Sequence, residues 1–188
     1  MDIVALIFNM VIDVATLLLF LRFMMQLAAL DPYNPVVMST IRVTHIADVF
    51  SRIIPSVGQG RINLAALALI ALLRMIDLSG NALLGGMTFD SPVLLMAMTV
   101  ISLLKDGLTF FYWLIIASIV LSWVVVFTQS RSPYIGVVMQ MAEPLLAPFR
   151  RIMPDLGPID LSPLLAFLAI IICQKMLDYA AMSVLALV

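Results

Sequence analysis

Four long apolar runs constrain this chain more than any other feature. They cover residues 3–25, 62–84, 107–127 and 161–187. About 20 consecutive apolar residues are enough for a helix to cross the hydrocarbon core of a bilayer. Only 11% of the residues are charged, and the mean hydropathy is +1.17. The runs therefore predict an all-α membrane protein with four transmembrane helices. A shorter apolar run at 92–104 ends at Lys105 and Asp106, and we expect it to lie at the interface or to extend a helix.

The basic residues of the connecting segments predict the orientation. Six of the ten lysines and arginines lie in the segments that join the first run to the second and the third to the fourth: Arg42, Arg52, Arg61, Arg131, Arg150 and Arg151. The middle loop, over 85–106, contains a single basic residue, Lys105. Short loops rich in lysine and arginine stay in the cytoplasm. We therefore expect both basic segments to be cytoplasmic, and the N-terminus, the middle loop and the C-terminus to lie on the opposite side.

The two basic segments also resemble each other. The aligned pairs are Phe50 with Phe149, Arg52 with Arg151, Pro55 with Pro154, Gly58 with Gly157 and Asn63 with Asp160. This pattern predicts two repeats, at 1–86 and 107–188, joined by a non-cytoplasmic connector at 87–106. Each repeat holds two crossings, so both copies enter the membrane in the same direction. The repeats are then parallel and related by an axis along the membrane normal.

The second basic segment carries a specific motif. Residues 143–163 read EPLLAPFRRIMPDLGPIDLSP, between two apolar runs. This pattern resembles the YggT family of bacterial membrane proteins. The resemblance singles out these residues as contacts for lipid or for a partner: Glu143, Pro144, Pro148, Arg150, Arg151, Pro154, Gly157 and Asp160, with Arg52, Pro55 and Gly58 in the first copy. The first copy departs from the motif, with Thr44 in place of Glu143 and Asn63 in place of Asp160.

The connecting segments differ in their expected conformation. Over 36–54, polar residues recur at every third or fourth position, namely Arg42, His45, Asp48 and Arg52. That period predicts one amphipathic helix in the cytoplasmic interface. In the second segment, Pro144 and Pro148 each remove a backbone donor, which predicts a break into short turns. We expect Arg150 and Arg151 to meet anionic lipid head groups at about 1 kcal/mol each. The alternative is that these Pro-rich segments dip into the membrane, as broken helices do in transporters.

Charged residues also fall inside the predicted crossings. They are Asp13, Arg74, Asp77, Lys175 and Asp178. A charge at the bilayer centre costs at least about 2.5 to 3.5 kcal/mol unless it is compensated, so these side chains should face the bundle interior or water. The basic-x-x-Asp spacing places each arginine or lysine beside an aspartate on one helix face. We expect one buried ionic cluster between the two halves, acting either as a structural clamp or as an ion or proton path.

The function that these features predict is not enzymatic. Gly80 and Gly85 have P-loop spacing, but Gly86-Met87 stands where Lys-Ser/Thr is required. The lone cysteine, Cys173, is expected to be a packing residue. We expect no cofactor, metal or nucleic acid partner, although a lipid-facing enzyme stays open as a third class.

The YggT resemblance implies a protein of the bacterial inner membrane. Relatives are linked to osmotic tolerance, cation uptake and cell division, and plastid relatives to nucleoid organisation and cytochrome maturation. These links name no reaction. We expect a scaffold or assembly factor for envelope or membrane-protein complexes, in contact with anionic lipid and with a membrane-protein partner or another copy of itself. The alternative is a small channel or transporter for K⁺ or Na⁺.

Overall fold

Helices account for most of the chain that the computed structural model describes, which comprises residues 3–54, 56–58, 60–86, 91–129, 132–152 and 160–186. The helices in these ranges are α1 (Ile3–Leu27), α2 (Pro35–Val43), α3 (Ile46–Ser51), α4 (Leu64–Leu84), α5 (Pro92–Thr128), α6 (Pro133–Ile152) and α7 (Ser162–Leu185). Four of them, α1, α4, α5 and α7, are long and apolar enough to cross a membrane. The prediction of an all-α protein with four helices able to span a membrane is therefore confirmed. The motif residues Pro55, Pro154 and Gly157 lie outside the described residues.

Helix α5 is longer than the sequence predicted. It starts at Pro92, where the Ser91 hydroxyl accepts a hydrogen bond from the Val93 N–H, and it continues to Thr128. The short apolar run at 92–104 is thus a helix extension, and residues 92–106 do not form the predicted loop. Lys105 and Asp106 do not end the helix because each pairs with a charge on a neighbouring helix. At about 1.5 Å per residue, the 37 residues of α5 span about 55 Å.

The four long helices pack in the order α1, α4, α5 and α7. Gly80 lets α4 approach α1 closely, because a Cβ at this position would lie 2.5 Å from the Phe8 ring. The rings of Phe20 and Phe110 stack with centroids 5.4 Å apart and join α1 to α5. Gly107 of α5 packs against the Phe20 ring, since a Cβ at this position would lie 3.5 Å from that ring. The apolar core continues between the long helices and α6, and its residues Met24 and Ile115 are fully buried.

The first connecting segment contains two short helices instead of the one predicted over 36–54. Helix α2 starts at Pro35, with the Asn34 side chain accepting from the Val36 N–H, and the chain turns at Thr44 and His45 before α3 begins. The interruption coincides with an unforeseen contact. The buried Arg22 of α1 donates to the Thr44 carbonyl at 2.8 Å and also bonds the Asp48 carboxylate. Tertiary contacts from α1 thus hold both helices and leave no need for a continuous one.

The prediction that Pro144 and Pro148 break the second connecting segment is wrong. Both prolines lie inside the continuous helix α6. The helix survives because one of its faces is buried against α5, α7 and α1, through Val137, Met141 and Leu146. Burying three aliphatic side chains of this size contributes about 4.5 to 9 kcal/mol, which is comparable to the roughly 6 kcal/mol that two internal prolines cost.

Candidate functional site

Two of the motif residues, Glu143 and Asp160, meet at Arg150. Its Nη1 donates to Glu143 Oε1 at 2.7 Å and to Oε2 at 2.5 Å, which joins two positions separated by two turns of α6. Its Nε donates to Asp160 Oδ2 at 2.9 Å. Asp160 Oδ1 in turn accepts the Ser162 N–H, the first of α7, at 2.9 Å. We call Glu143, Arg150 and Asp160 the motif triad; it ties α6 to the start of α7.

Hydrogen bonds stabilise the charged forms of Arg150 and Asp160. The hydrogen bond to Glu143 raises the pKa of Arg150 despite partial burial, and the bond to Asp160 raises it further. Burial alone would raise the pKa of Asp160, but hydrogen bonds from Ser162 and Arg150 outweigh it, so this pKa is lowered. Two carboxylates therefore face one guanidinium, and the triad carries a net negative charge.

A cavity lies beside the motif triad, between α5, α6 and α7. Its volume is about 670 Å³. Besides the triad, its walls include Ser122, Trp123, Met139, Leu164 and Phe167. Trp123 and Leu164 are largely exposed, so the cavity opens at the side of the molecule. An apolar side chain bearing or adjoining a cation would match this combination of apolar walls and carboxylates.

The remaining motif residues are placed less closely together. Arg151 follows Arg150 on α6 and is exposed, as are Arg52 after α3 and Pro148 on α6. Gly58 adopts a positive φ of 67° in a turn closed by backbone bonds between Val57 and Ile62. Arg151 and Pro148 share the second connecting segment with the triad, whereas Arg52 and Gly58 lie in the first, and among the described residues no hydrogen bond or ion pair joins any of the four to the triad.

The two motif arginines should respond differently to substitution. Arg150→Gln is expected to lower the free energy of unfolding by about 1 kcal/mol, because its ion pairs are partly exposed. Since the pKa of Asp160 is lowered in the folded protein, its share of stability is present at neutral pH and is lost as the pH falls through that pKa. The difference between parent and variant should therefore shrink in acid, as detergent melts at pH 7 and near pH 3 would reveal.

Arg151→Gln, by contrast, should leave the melts unchanged at both pH values. It should weaken retention of anionic lipid by about 1 kcal/mol, or roughly fivefold, measured as lipid copurified with the protein. If Arg150→Gln rather than Arg151→Gln lost lipid, Arg150 would be the lipid contact and its pairing with Glu143 and Asp160 would be secondary.

The charges inside the spans form two groups, where the sequence predicted one cluster. The first is centred on Arg74 of α4, whose Nη1 lies 2.6 Å from Asp77 Oδ2 and whose Nε bonds the carboxylate of Asp106 on α5. Asp13 of α1 is farther away, at 3.9 Å from Arg74 Nη2. Asn81 donates to Asp77 Oδ1 at 3.0 Å and to Asn9 at 2.9 Å. One guanidinium thus serves three carboxylates in this group, which we call the Arg74 group.

The second group lies on the other side of α5. Lys105 Nζ is 2.7 Å from Asp178 Oδ1 of α7, and Lys175 Nζ is 3.6 Å from Asp178 Oδ2. We call these residues the Asp178 group; it holds two cations for one carboxylate. The two groups are separate because α5 lies between α4 and α7, so that Asp106 faces one neighbour and Lys105 the other.

Sequence reasoning missed Arg22, Lys105 and Asp106. Arg22 was visible as an arginine near the end of the first apolar run, with polar residues following in the next segment. Lys105 and Asp106 were visible as adjacent opposite charges between two apolar runs without an intervening proline. An uninterrupted helix through such a pair predicts one partner on each flanking helix. That signal could have identified the central role of α5.

The fold and these sites define a class: a multi-pass helical membrane protein with a Pro-rich, arginine-bearing helix beside its last span. The model of the CCB3/YggT family matches residues 97–181. An uncharacterised protein of Pseudomonas aeruginosa is 36% identical over 172 residues, covering 90% of this chain and 83% of the relative. The chain belongs to the YggT family.

Other relatives give the same result. The uncharacterised protein YggT of Escherichia coli is 37% identical over 159 residues, covering 84% of this chain and 80% of the relative. An uncharacterised protein of Haemophilus influenzae is 34% identical over 178 residues, covering 93% and 91% of the two chains. No solved structure matches.

Proposed function

We propose that this protein is a scaffold or assembly factor of the bacterial inner membrane, without enzymatic activity, that holds a membrane-protein client against α6. The observation that carries the proposal is the cavity of about 670 Å³ beside the motif triad. The triad joins α6 to the start of α7 and keeps one carboxylate in excess, so two walls of the cavity are held together before a client arrives. Preorganised surfaces of this kind lose less entropy on binding than mobile ones.

A client would place an apolar side chain between Trp123 and Leu164 and a cation near Glu143 or Asp160. The apolar walls favour desolvation of the side chain, and the surplus carboxylate favours the cation. Anionic lipid would meet the exposed Arg151 at the same edge. The site would then bind lipid and client side by side, as expected for a protein that organises other membrane proteins.

Site-specific photo-crosslinking in native membranes tests this role. A photoreactive residue at Met139 or Leu164, both in the cavity, should capture the same client, whereas one at Val4, exposed on α1, should not. Filling the cavity with Ser122→Phe should abolish both crosslinks and reduce assembly of the captured client. The matched variant Val126→Phe, at an exposed site on the same helix, should do neither. Different products from the two cavity sites, or crosslinks that persist in Ser122→Phe, would contradict the proposal.

A small channel or transporter for K⁺ or Na⁺, with a part in osmotic tolerance, is the second candidate. It draws on the Arg74 group, in which three carboxylates share one guanidinium inside the spans. Charged residues in spans commonly mark ion pathways. Purified protein in liposomes should pass neither ion if it is a scaffold, and a flux that Asp77→Asn abolishes would favour transport.

The orientation and the repeats belong to the same proposal. The aligned residues Asn63 and Asp160 support parallel repeats, because Asn63 accepts the Ala66 N–H of α4 and Asp160 accepts the first N–H of α7, each at 2.9 Å. Reporter fusions after Met87 and Val188 should be active only outside the cytoplasm, and fusions after Gly60 and Asp155 only inside. A cytoplasmic signal at Met87 would overturn this topology.

A further inference from the structure

Lys175 occupies an unusual place on the surface of the spans. Its side chain is 71% exposed on α7, on a face that also exposes Leu168, Ile172 and Tyr179. The nearby carboxylate of Asp178 is already bonded by Lys105 at 2.7 Å, closer than Lys175 at 3.6 Å. An uncompensated lysine in a lipid-facing position costs at least about 2.5 to 3.5 kcal/mol. A second carboxylate, supplied from outside this chain, would lower that cost for Lys175.

Asp13 presents the opposite charge on another helix. Its side chain is 66% exposed, next to the exposed Met10, Val14 and Leu17 of α1. Arg74 lies 3.9 Å away and is bonded more closely by Asp77 and Asp106. The surplus carboxylate of the Arg74 group thus reaches the outer surface, as does the surplus cation of the Asp178 group.

These two surface charges lie at one depth. At about 1.5 Å per residue, Asp13 is about 21 Å along α1 from Leu27, and Lys175 is about 20 Å along α7 from Ser162. Leu27 and Ser162 both adjoin the basic connecting segments. The adjacency of Lys105 and Asp106 on α5 independently ties the two charge groups to one level of the bundle.

We propose that a second copy of this chain binds at this surface, with Asp13 of one copy paired to Lys175 of the next. Helices α1 and α7 stand at opposite ends of the packing order α1, α4, α5 and α7, so the contact is head to tail. Such contacts form closed rings when the rotation between copies closes. Each copy then supplies the carboxylate that its neighbour's lysine lacks, and the apolar side chains around both charges pack together.

Disulfide crosslinking tests the contact without altering either charge. In a Cys173→Ser background, Leu17→Cys and Ile171→Cys each lie about one turn from their charge, towards the connecting segments. The chain with both cysteines, oxidised in liposomes, should give a ladder of dimers and larger products. Either single-cysteine chain should stay monomeric, because a head-to-tail contact does not bring one position against itself. Pairing Leu17→Cys with Met182→Cys, exposed about 16 Å farther along α7, should give no ladder.

The charge itself is tested by Lys175→Gln in the same two-cysteine chain. Because Lys175 is exposed, folding should be unaffected in detergent melts, while the yield of crosslinked product should fall roughly tenfold, the equivalent of about 1.4 kcal/mol. Lys175→Arg should retain the ladder. A ladder unaffected by Lys175→Gln, crosslinks from single-cysteine chains, or no ladder from the parent pair would each overturn the proposal.

Discussion

Replacing Arg74 with methionine is expected to lower the free energy of unfolding by about 3 to 5 kcal/mol, the loss typical of removing one partner from a buried ion pair. The Arg74 side chain is only 18% exposed, and it is bonded by Asp77 on its own helix and by Asp106 on α5. Methionine fills the space but leaves both carboxylates without a cation. Chemical unfolding of the purified protein in mixed micelles would measure the loss.

Two further variants separate the charge from the packing. Arg74→Leu with Asp77→Leu should recover only part of the stability, because Asp106 stays unpaired, and adding Asp106→Leu should recover more. The exposed Arg52→Met is the matched control and should change stability by less than about 0.5 kcal/mol. An Arg74→Met protein as stable as the parent would mean that the three carboxylates do not depend on the guanidinium.

Replacing Arg22 with methionine should cost about 1.5 to 3 kcal/mol, the range for hydrogen bonds that involve a charged group. Arg22 is buried, and it donates to the Thr44 carbonyl at 2.8 Å, to Thr44 Oγ1 at 3.2 Å and to the Asp48 carboxylate. These bonds hold α2 and α3 against α1. Amide hydrogens of both short helices should therefore exchange faster in the variant, while those of α5 and α7 keep their protection.

The control for this prediction is Arg42→Met. Arg42 lies in the last turn of α2 and is exposed, so its loss should leave exchange in α2 and α3 unchanged. Uniform loss of protection across all helices of the Arg22→Met protein would show that Arg22 supports the whole fold rather than the first connecting segment.

The ends of three spans could be predicted closely from the sequence. Residues 3–25, 62–84 and 161–187 correspond to α1 (Ile3–Leu27), α4 (Leu64–Leu84) and α7 (Ser162–Leu185). The reason is physical and local. A chain that crosses hydrocarbon must satisfy its own backbone hydrogen bonds, so a run of about 20 apolar residues becomes a helix whatever its neighbours are.

The candidate site could be predicted only in part. The motif named Glu143, Arg150 and Asp160, but their pairing spans two helical turns and the junction to α7, beyond the reach of any spacing rule. The two internal prolines predicted a broken segment, because helix propensity describes a helix without tertiary contacts. Packing of α6 against four neighbouring helices supplies the stabilisation that propensity leaves out.

The sequence by itself determined the class of protein, the number of spans and the local ion pairs, since Arg74 with Asp77 and Lys175 with Asp178 are three residues apart on one helix face. Only the tertiary structure decided that Lys105 and Asp106 continue a helix. A lone charge in an apolar run is costly, and that cost is removed by partners on α7 and α4. Coulombic attraction falls with distance, so pairing depends on which helices are neighbours, and that is decided by how the bundle packs.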